Sequence, residues 1–145
     1  MPSLNRSLNV IGRCGTLFRA KHLVETGVDA YNYFYLFYIC RNPGISQEAL
    51  SQALYVNKSS VTRHIARLEA AGLLTRTPSP EDRRVMQVYP TEKATALLPT
   101  LREVGGLWHA AITAGFTPEE TAQFEALLAR AMENARRAAD GEVEA

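Results

Sequence analysis

Apolar residues return at helical spacing along most of this chain and alternate with polar ones in a single region. Leu4, Leu8, Ile11, Gly15 and Phe18 keep a period of three to four residues. With Ser3 able to cap the start, residues 4–23 are predicted as a first helix, ended by Gly27. Asp29 is then placed to cap a second helix with two apolar stripes, one of Tyr31, Phe34, Tyr35 and Tyr38, the other of Tyr33, Phe37 and Cys40. Asn42-Pro43-Gly44 reads as a turn. Ser46 reads as the cap of a short third helix through Leu54, with Ala49, Leu50 and Ala53 inward. After a brief turn at Tyr55-Val56, Asn57 opens and Gly72 closes a fourth helix whose stripe is Val61, Ile65 and Leu68.

The period then changes. Leu73–Thr77 and Val85–Tyr89 read as two strands joined by the proline- and charge-rich Pro78–Arg84. From Thr91 a long helix carries Leu97, Leu98, Leu101, Val104, Trp108 and Ile112 on its apolar side, and Pro99 and Gly105-Gly106 are expected to kink or loosen it. Thr117-Pro118-Glu119-Glu120 reads as a capping box. It opens a last helix with Phe124, Leu127, Leu128, Ala131 and Ala135 inward, frayed from Asp140.

The fourth helix has a second face. A rotation of about 100° per residue puts Ser59, Arg63 and Ala70 opposite the apolar stripe, flanked by Ser60, Thr62, Ala66 and Arg67. Glu69 is the one acid of the helix. Short hydroxyls and guanidinium groups suit contact with phosphates and base edges in a major groove. Taken alone, the same pattern fits an amphipathic helix with a solvated basic face. A short helix, a tight turn and a longer polar-faced helix form a helix-turn-helix, and the hairpin that follows is a wing. Its tip offers Arg83 and Arg84 with Asp82, and arginines suit the negative potential of a narrow minor groove. The fold class expected is mainly α with a small β-wing: a winged helix-turn-helix of about six helices and a two-stranded hairpin.

Length and composition narrow the classes. A chain of 145 residues fits one domain. It has no run of eighteen apolar residues and no signal-peptide core near Met1–Arg6, so a soluble, cytoplasmic protein with no membrane partner is expected. No glycine-rich phosphate loop, paired carboxylates or metal spacing occurs, so neither an enzyme nor a cofactor or metal site is expected. The net charge of +1 hides a gradient: residues 1–93 hold twelve Lys/Arg against seven Asp/Glu, and residues 94–145 hold four against eight. The basic groups thus gather where the helix-turn-helix and wing lie. Six of the twelve aromatic residues fall in the second helix. It is either a core helix between two layers or a pocket wall, where Tyr31, Tyr35 and Tyr38 would orient a small aromatic or amphipathic ligand. Cys14 and Cys40 read as core packing, with a redox sensor at Cys14 as the alternative.

The run Lys58-Ser59-Ser60-Val61-Thr62-Arg63, then Leu68-Glu69, Gly72-Leu73 and Arg76, resembles the multiple-antibiotic-resistance regulator (MarR) family of bacterial transcription factors. So does Asp82-Arg83-Arg84, five residues before Pro90-Thr91. Asp82, Arg84 and Thr91 match the family's wing pattern. Pro90 stands where leucine is usual, and Ala94 where glycine is frequent. The resemblance implies a winged helix-turn-helix and a homodimer joined by the first helix and the last two. It also implies binding to double-stranded DNA at a pseudo-palindromic operator, usually as a repressor released by a small ligand or oxidant. On this basis residues 1–145 form a single MarR-like domain. Residues 30–90 would be its DNA-binding lobe, 1–29 and 91–139 its helical dimerisation lobe, and 140–145 a frayed tail. By matching position, Arg84 would enter the minor groove with Asp82 orienting it, while Ser59, Ser60, Thr62 and Arg63 would lie in or beside the major groove. Lys58, Arg67, Arg76 and Arg83 complete the expected DNA-contacting set. The alternatives are a thiol-based redox-sensing regulator of the same fold and a winged-helix interaction module that does not bind DNA.

Overall fold

The computed structural model describes residues 3–141. It contains helices α1 (Leu4–His22), α2 (Tyr33–Arg41), α3 (Gln47–Leu54), α4 (Lys58–Ala70), α5 (Glu92–Ile112) and α6 (Pro118–Ala139), and strands β1 (Ile45–Ser46), β2 (Leu74–Pro78) and β3 (Met86–Pro90). The strands form one antiparallel sheet in the order β1-β3-β2, with Leu74 opposite Pro90 and Pro78 opposite Met86. The two strands of the wing each begin one residue later than expected. The hairpin also gains a third strand, because Ile45 pairs with Val88 and Ser46 with Gln87. Two residues carry no alternation, so this strand has no periodic signature. Ser46 ends the strand and caps α3 as well, its hydroxyl accepting from the Ala49 N–H at 3.0 Å.

Two expectations near the N-terminus are corrected. Helix α1 stops at His22, and a separate 3-10 turn (Val24–Thr26) precedes Gly27, which takes a left-handed φ of 70°. Asp29 does not cap α2. Its carboxylate accepts from the Tyr31 N–H at 2.7 Å and its carbonyl from the Asn32 N–H at 2.9 Å, so the acid is spent on a local turn. That turn delays α2 to Tyr33 and leaves Tyr31 off the helix and exposed. On α2 itself Tyr33, Tyr35, Leu36 and Ile39 are buried while Phe34 is exposed, so only part of its surface serves the core.

Residues up to Trp108 and residues from His109 onward form two compact units. The first holds the core, where Leu36, Ile39, Leu50, Val61, Ile65, Val88 and Leu101 lose all solvent contact. In the second, the Thr117 hydroxyl accepts from the Glu120 N–H at 3.1 Å, and the Glu120 carboxylate accepts in return from the Thr117 N–H at 2.8 Å. This is the expected capping box. Phe116 meets Phe124 edge to face at 5.7 Å. Phe124 is half-buried by that contact, but the inward placement expected for Leu127, Leu128, Ala131 and Ala135 is not met: no residue of α6 is buried, and these four are exposed. On α1 the stripe is equally bare at Leu4, Leu8 and Ile11. Cys14 is exposed, not packed in a core, and Cys40 is half-buried, where burial pushes its thiol pKa up. Residues 142–145, most of the expected frayed tail, lie outside the described residues. No helix among the described residues is long and apolar enough to cross a membrane.

Helix α5 runs unbroken through Pro99 and Gly105-Gly106. Gly105 serves close approach. The buried Tyr33 hydroxyl donates to the Leu101 carbonyl at 2.9 Å, and a Cβ on Gly105 would stand 2.7 Å from that hydroxyl. Gly106 has open space around it. Gly105→Ala should therefore destabilise the chain by about 1–3 kcal/mol through overpacking. Gly106→Ala should instead stabilise it by roughly 0.5–1 kcal/mol through helix propensity. Chemical denaturation of both variants checks this, and equal losses would mean that the pair acts as a hinge.

Candidate nucleic-acid interface

Helix α4 is set by its cap and its stripe. The Asn57 side chain accepts from the Ser60 N–H at 2.7 Å, which satisfies a donor that the first turn leaves open, and also from the Ser59 hydroxyl at 2.8 Å. Val61, Ile65 and Leu68 are buried to 2% exposure or less. Ser59, Thr62, Arg63, Ala66, Arg67 and Ala70 are all exposed, at i, i+3, i+4, i+7, i+8 and i+11. One continuous face of hydroxyls, small residues and two guanidinium groups therefore points away from the core. Ser60 is half-buried at its edge and accepts a long bond from Arg63 at 3.3 Å. The Thr62 hydroxyl donates to the Lys58 carbonyl at 3.0 Å. Lys58 pairs with Glu48 of α3 at 3.1 Å, with both side chains mostly in water. Exposed pairs of this kind are worth about 0–1 kcal/mol, so this one costs little to break.

The turn between α3 and α4 bends at Tyr55, the one non-glycine residue with positive φ (53°) among the described residues. Tyr55 and Val56 donate to the Gln52 and Ser51 carbonyls, which ends α3 as a glycine would.

At the wing tip the Asp82 carboxylate grips Arg84 through both oxygens. Nε lies 3.1 Å from Oδ1 and Nη2 3.1 Å from Oδ2, and the Arg84 N–H donates to Oδ1 at 3.0 Å. The Arg84 side chain is 91% exposed, so its guanidinium is aimed by the acid while remaining open to solvent. These hydrogen bonds hold the Asp82 carboxyl below the usual carboxylate range. A depressed carboxyl contributes its grip above its ordinary pKa and loses it only as pH falls through the lowered one, so the lock is intact at neutral pH. Arg83 is exposed beside it.

The sequence profile of the MarR family matches residues 26–85. The chain is 35% identical to the uncharacterized HTH-type transcriptional regulator YybA of Bacillus subtilis (strain 168), covering 94% of this chain and 91% of that one. Among solved structures, a MarR-family transcriptional regulator from Listeria monocytogenes complexed with a 26-mer DNA superposes with a TM-score of 0.89 at 26% identity, covering 100% of this chain and 99% of that one. A SlyA-like transcription regulator, also from Listeria monocytogenes, gives 0.90 at 26% identity over the same shares. This chain is a member of the MarR family. The MarR family consists of transcriptional regulators, and a dimer is typical of it.

Two groups of expected residues sit differently in this MarR chain. Arg76 lies on β2, half-buried, and its Nε donates to Glu69 of α4 at 2.5 Å. It ties the wing to the helix and is not free on the outer face. The same junction is held by the Thr91 hydroxyl on the Gly72 carbonyl at 2.7 Å and by Lys93 on the Ala71 carbonyl at 2.8 Å. The three tyrosines expected to orient a ligand are not brought together. Tyr31 lines an open groove of about 540 Å³ with Leu8, Gly12, Thr16 and Leu17. Tyr35 is buried and stacked on His64, and Tyr38 is half-buried.

Sequence reasoning missed Arg19. It is buried, its guanidinium carbon lies 4.6 Å from the Phe34 ring centre, and its Nε has no hydrogen-bond partner. Nothing in the spacing of α1 marks it, since its neighbours on α2 come from a distant stretch of chain.

Proposed function

We propose that this MarR-family chain is a homodimeric repressor that reads a pseudo-palindromic operator and is released by a small planar aromatic anion. The observation that carries the DNA reading is the exposed face of Ser59, Thr62, Arg63 and Arg67, paired with a wing arginine that Asp82 aims outward. Hydroxyls and arginines on a helix read base edges and phosphates, and an aimed arginine suits the minor groove. In this reading Lys58, Ser60 and Arg83 add phosphate contacts and Arg76 acts through the wing's position. Residues 30–90 read DNA, while 1–29 and 91–139 pair the protomers. The bare stripes on α1 and α6 support the pairing, because a second copy is what covers them. The 26-mer bound by the Listeria relative is long enough for two half-sites one helical turn apart. The repressor role follows the habit of the family.

Arg19 supports the ligand class. A buried guanidinium against aromatic rings, with no acid partner among the described residues, is completed by a flat anion. Selection of duplexes from a randomised pool tests the whole reading. The enriched sequence should be an inverted repeat that binds two chains per duplex. Benzoate or naphthoate should loosen that complex at millimolar concentration, and Arg19→Gln should abolish the response. A selected site without two-fold symmetry, bound by one chain, would remove the dimeric reader. Binding indifferent to both acids would remove the ligand.

A further inference from the structure

We infer that His64 is a proton-linked phosphate contact of the reading helix, neutral in the free protein and protonated on DNA. This deepens the DNA reading proposed above and depends on it.

The first support is position. At about 100° per residue, His64 falls between the buried Val61/Ile65/Leu68 stripe and Arg67, on the shoulder of α4 that also carries Ser60. When the centre of a helix faces base edges, its shoulders face the phosphates that wall the groove.

The second support is the way the ring is held. Nδ1 lies 2.6 Å from the Asn32 side-chain oxygen, which can only accept. The neutral ring therefore donates from Nδ1 and keeps its lone pair on Nε2. The ring also stacks on Tyr35, with centroids 4.4 Å apart and planes at 19°. Asn32 is buried and stands at the N-cap position of α2, yet its side chain makes no cap bond. It is committed to the histidine instead. A turn and a second helix thus clamp the imidazole and leave Nε2 as the nitrogen facing away from Asn32.

The third support is charge. On α4 the ring is faced by Arg63 and Arg67; from the turn before α2 it is faced by Asp29; Tyr35 on α2 is a neutral phenol whose own pKa is raised by burial. Burial, then Arg67 and Arg63, hold the imidazole below its ordinary pKa, with Asp29 opposing them. In the free protein at neutral pH, Nε2 offers a phosphate nothing but a lone pair. Bound DNA reverses this. Its phosphates neutralise the two arginines and supply an acceptor for a proton on Nε2, so the pKa rises in the complex. A complex that holds more protons tightens as pH falls.

The sign and size are measurable. Between the free and bound pKa values, affinity should rise by up to roughly tenfold per pH unit for each protomer. The dependence of log affinity on log salt should steepen by about 0.9 per protomer at the acid end. The probe is a duplex selected by the full chain from a random pool, titrated from about pH 6 to about pH 8 at fixed ionic strength. His64→Asn keeps an amide donor near the Nδ1 position and cannot titrate, and His64→Gln places an amide near Nε2. Both should lose the pH dependence of affinity and of salt slope. A pH-independent wild type, or a variant that keeps the wild-type slope, would overturn the proposal. NMR titration of the wild-type His64 ring with and without the duplex gives a readout that needs no variant to fold, and an unchanged pKa would overturn the proposal equally. A pool that enriches no duplex would take the DNA reading down with it, whereas a selected duplex bound without pH dependence removes this inference alone.

Discussion

A chain ending at Thr117 should be insoluble or monomeric, and should bind its operator no better than random DNA. Helix α6 buries no residue within its own chain, with Leu127 51%, Leu128 43% and Met132 52% exposed. Helix α1 adds Leu4 at 73%, Leu8 at 48% and Leu17 at 70%. Soluble monomers rarely leave contiguous apolar patches beyond a few hundred Å². Full burial of an exposed leucine is worth about 1.5–3 kcal/mol, so each of these part-exposed side chains supplies a fraction of that, and the stripes together favour pairing. Loss of α6 removes its apolar stripe and, on the proposed pairing, the second reading head. Specific sites are typically held about 10³-fold or more tighter than non-specific DNA, and a lone head keeps only half of the contacts behind that ratio. Light scattering and operator titration measure the two consequences separately. A soluble, monomeric truncation with full operator affinity would mean that α6 does not pair the protomers.

Arg63→Ala and Arg84→Ala should weaken operator binding in different ways. Arg63 lies opposite the buried stripe of α4 and is exposed, so it should meet a base edge, most simply guanine. Its loss should cost on the order of 1–3 kcal/mol on the selected site and blur one or two base pairs in each half-site. Arg84, as a minor-groove arginine, should read groove width and potential instead of a unique base pattern. Its loss should weaken binding across many sequences and lower the salt slope by about one unit. Asp82→Ala should show a milder form of the Arg84 defect, because it leaves the cation and removes the two-oxygen grip that aims it together with the bond to the Arg84 N–H. Affinity against salt, on the selected duplex and a scrambled one, separates the three. If both arginine variants bind as the wild type does, α4 and the wing do not face DNA.

What was legible in the sequence was what is decided within a few residues. The caps at Ser3, Ser46, Asn57 and Thr117 each satisfy an N–H three residues on, and each was readable from residue type and position. The stripe of α4 and the bare face opposite it follow from period alone. What was hidden depends on partners far along the chain: Ile45 beside Val88, Asn32 on His64, Tyr33 against Gly105. None of these leaves a periodic trace. The aromatic run around α2 announced burial but could not say on which side, and the Asp29 turn that expels Tyr31 reads in sequence like an ordinary cap. Arg76 looked like a free cation because its acid, Glu69, sits across a helix-to-strand corner. For α1 and α6, period correctly marked an apolar face, but one chain cannot say what covers it.

The corner that binds the wing to α4 has a kinetic consequence. Glu69 holds Arg76, Gly72 and Ala71 hold Thr91 and Lys93, and β1 stitches the same sheet to the start of α3. The reading helix and the wing arginine therefore travel as one body with a fixed separation. With the helix docked as proposed, Arg84 would meet its groove at an effective concentration set by geometry instead of by the number of molecules in solution. The two bonds from Asp82 bias the side chain toward one orientation, which lowers the ordering that opposes that second contact. A contact made after docking has little influence on how often protein and DNA meet. On the proposed reading it governs how long they stay together, so the wing would set the residence time on the operator and leave the rate of finding it to the charge on the rest of the reading face.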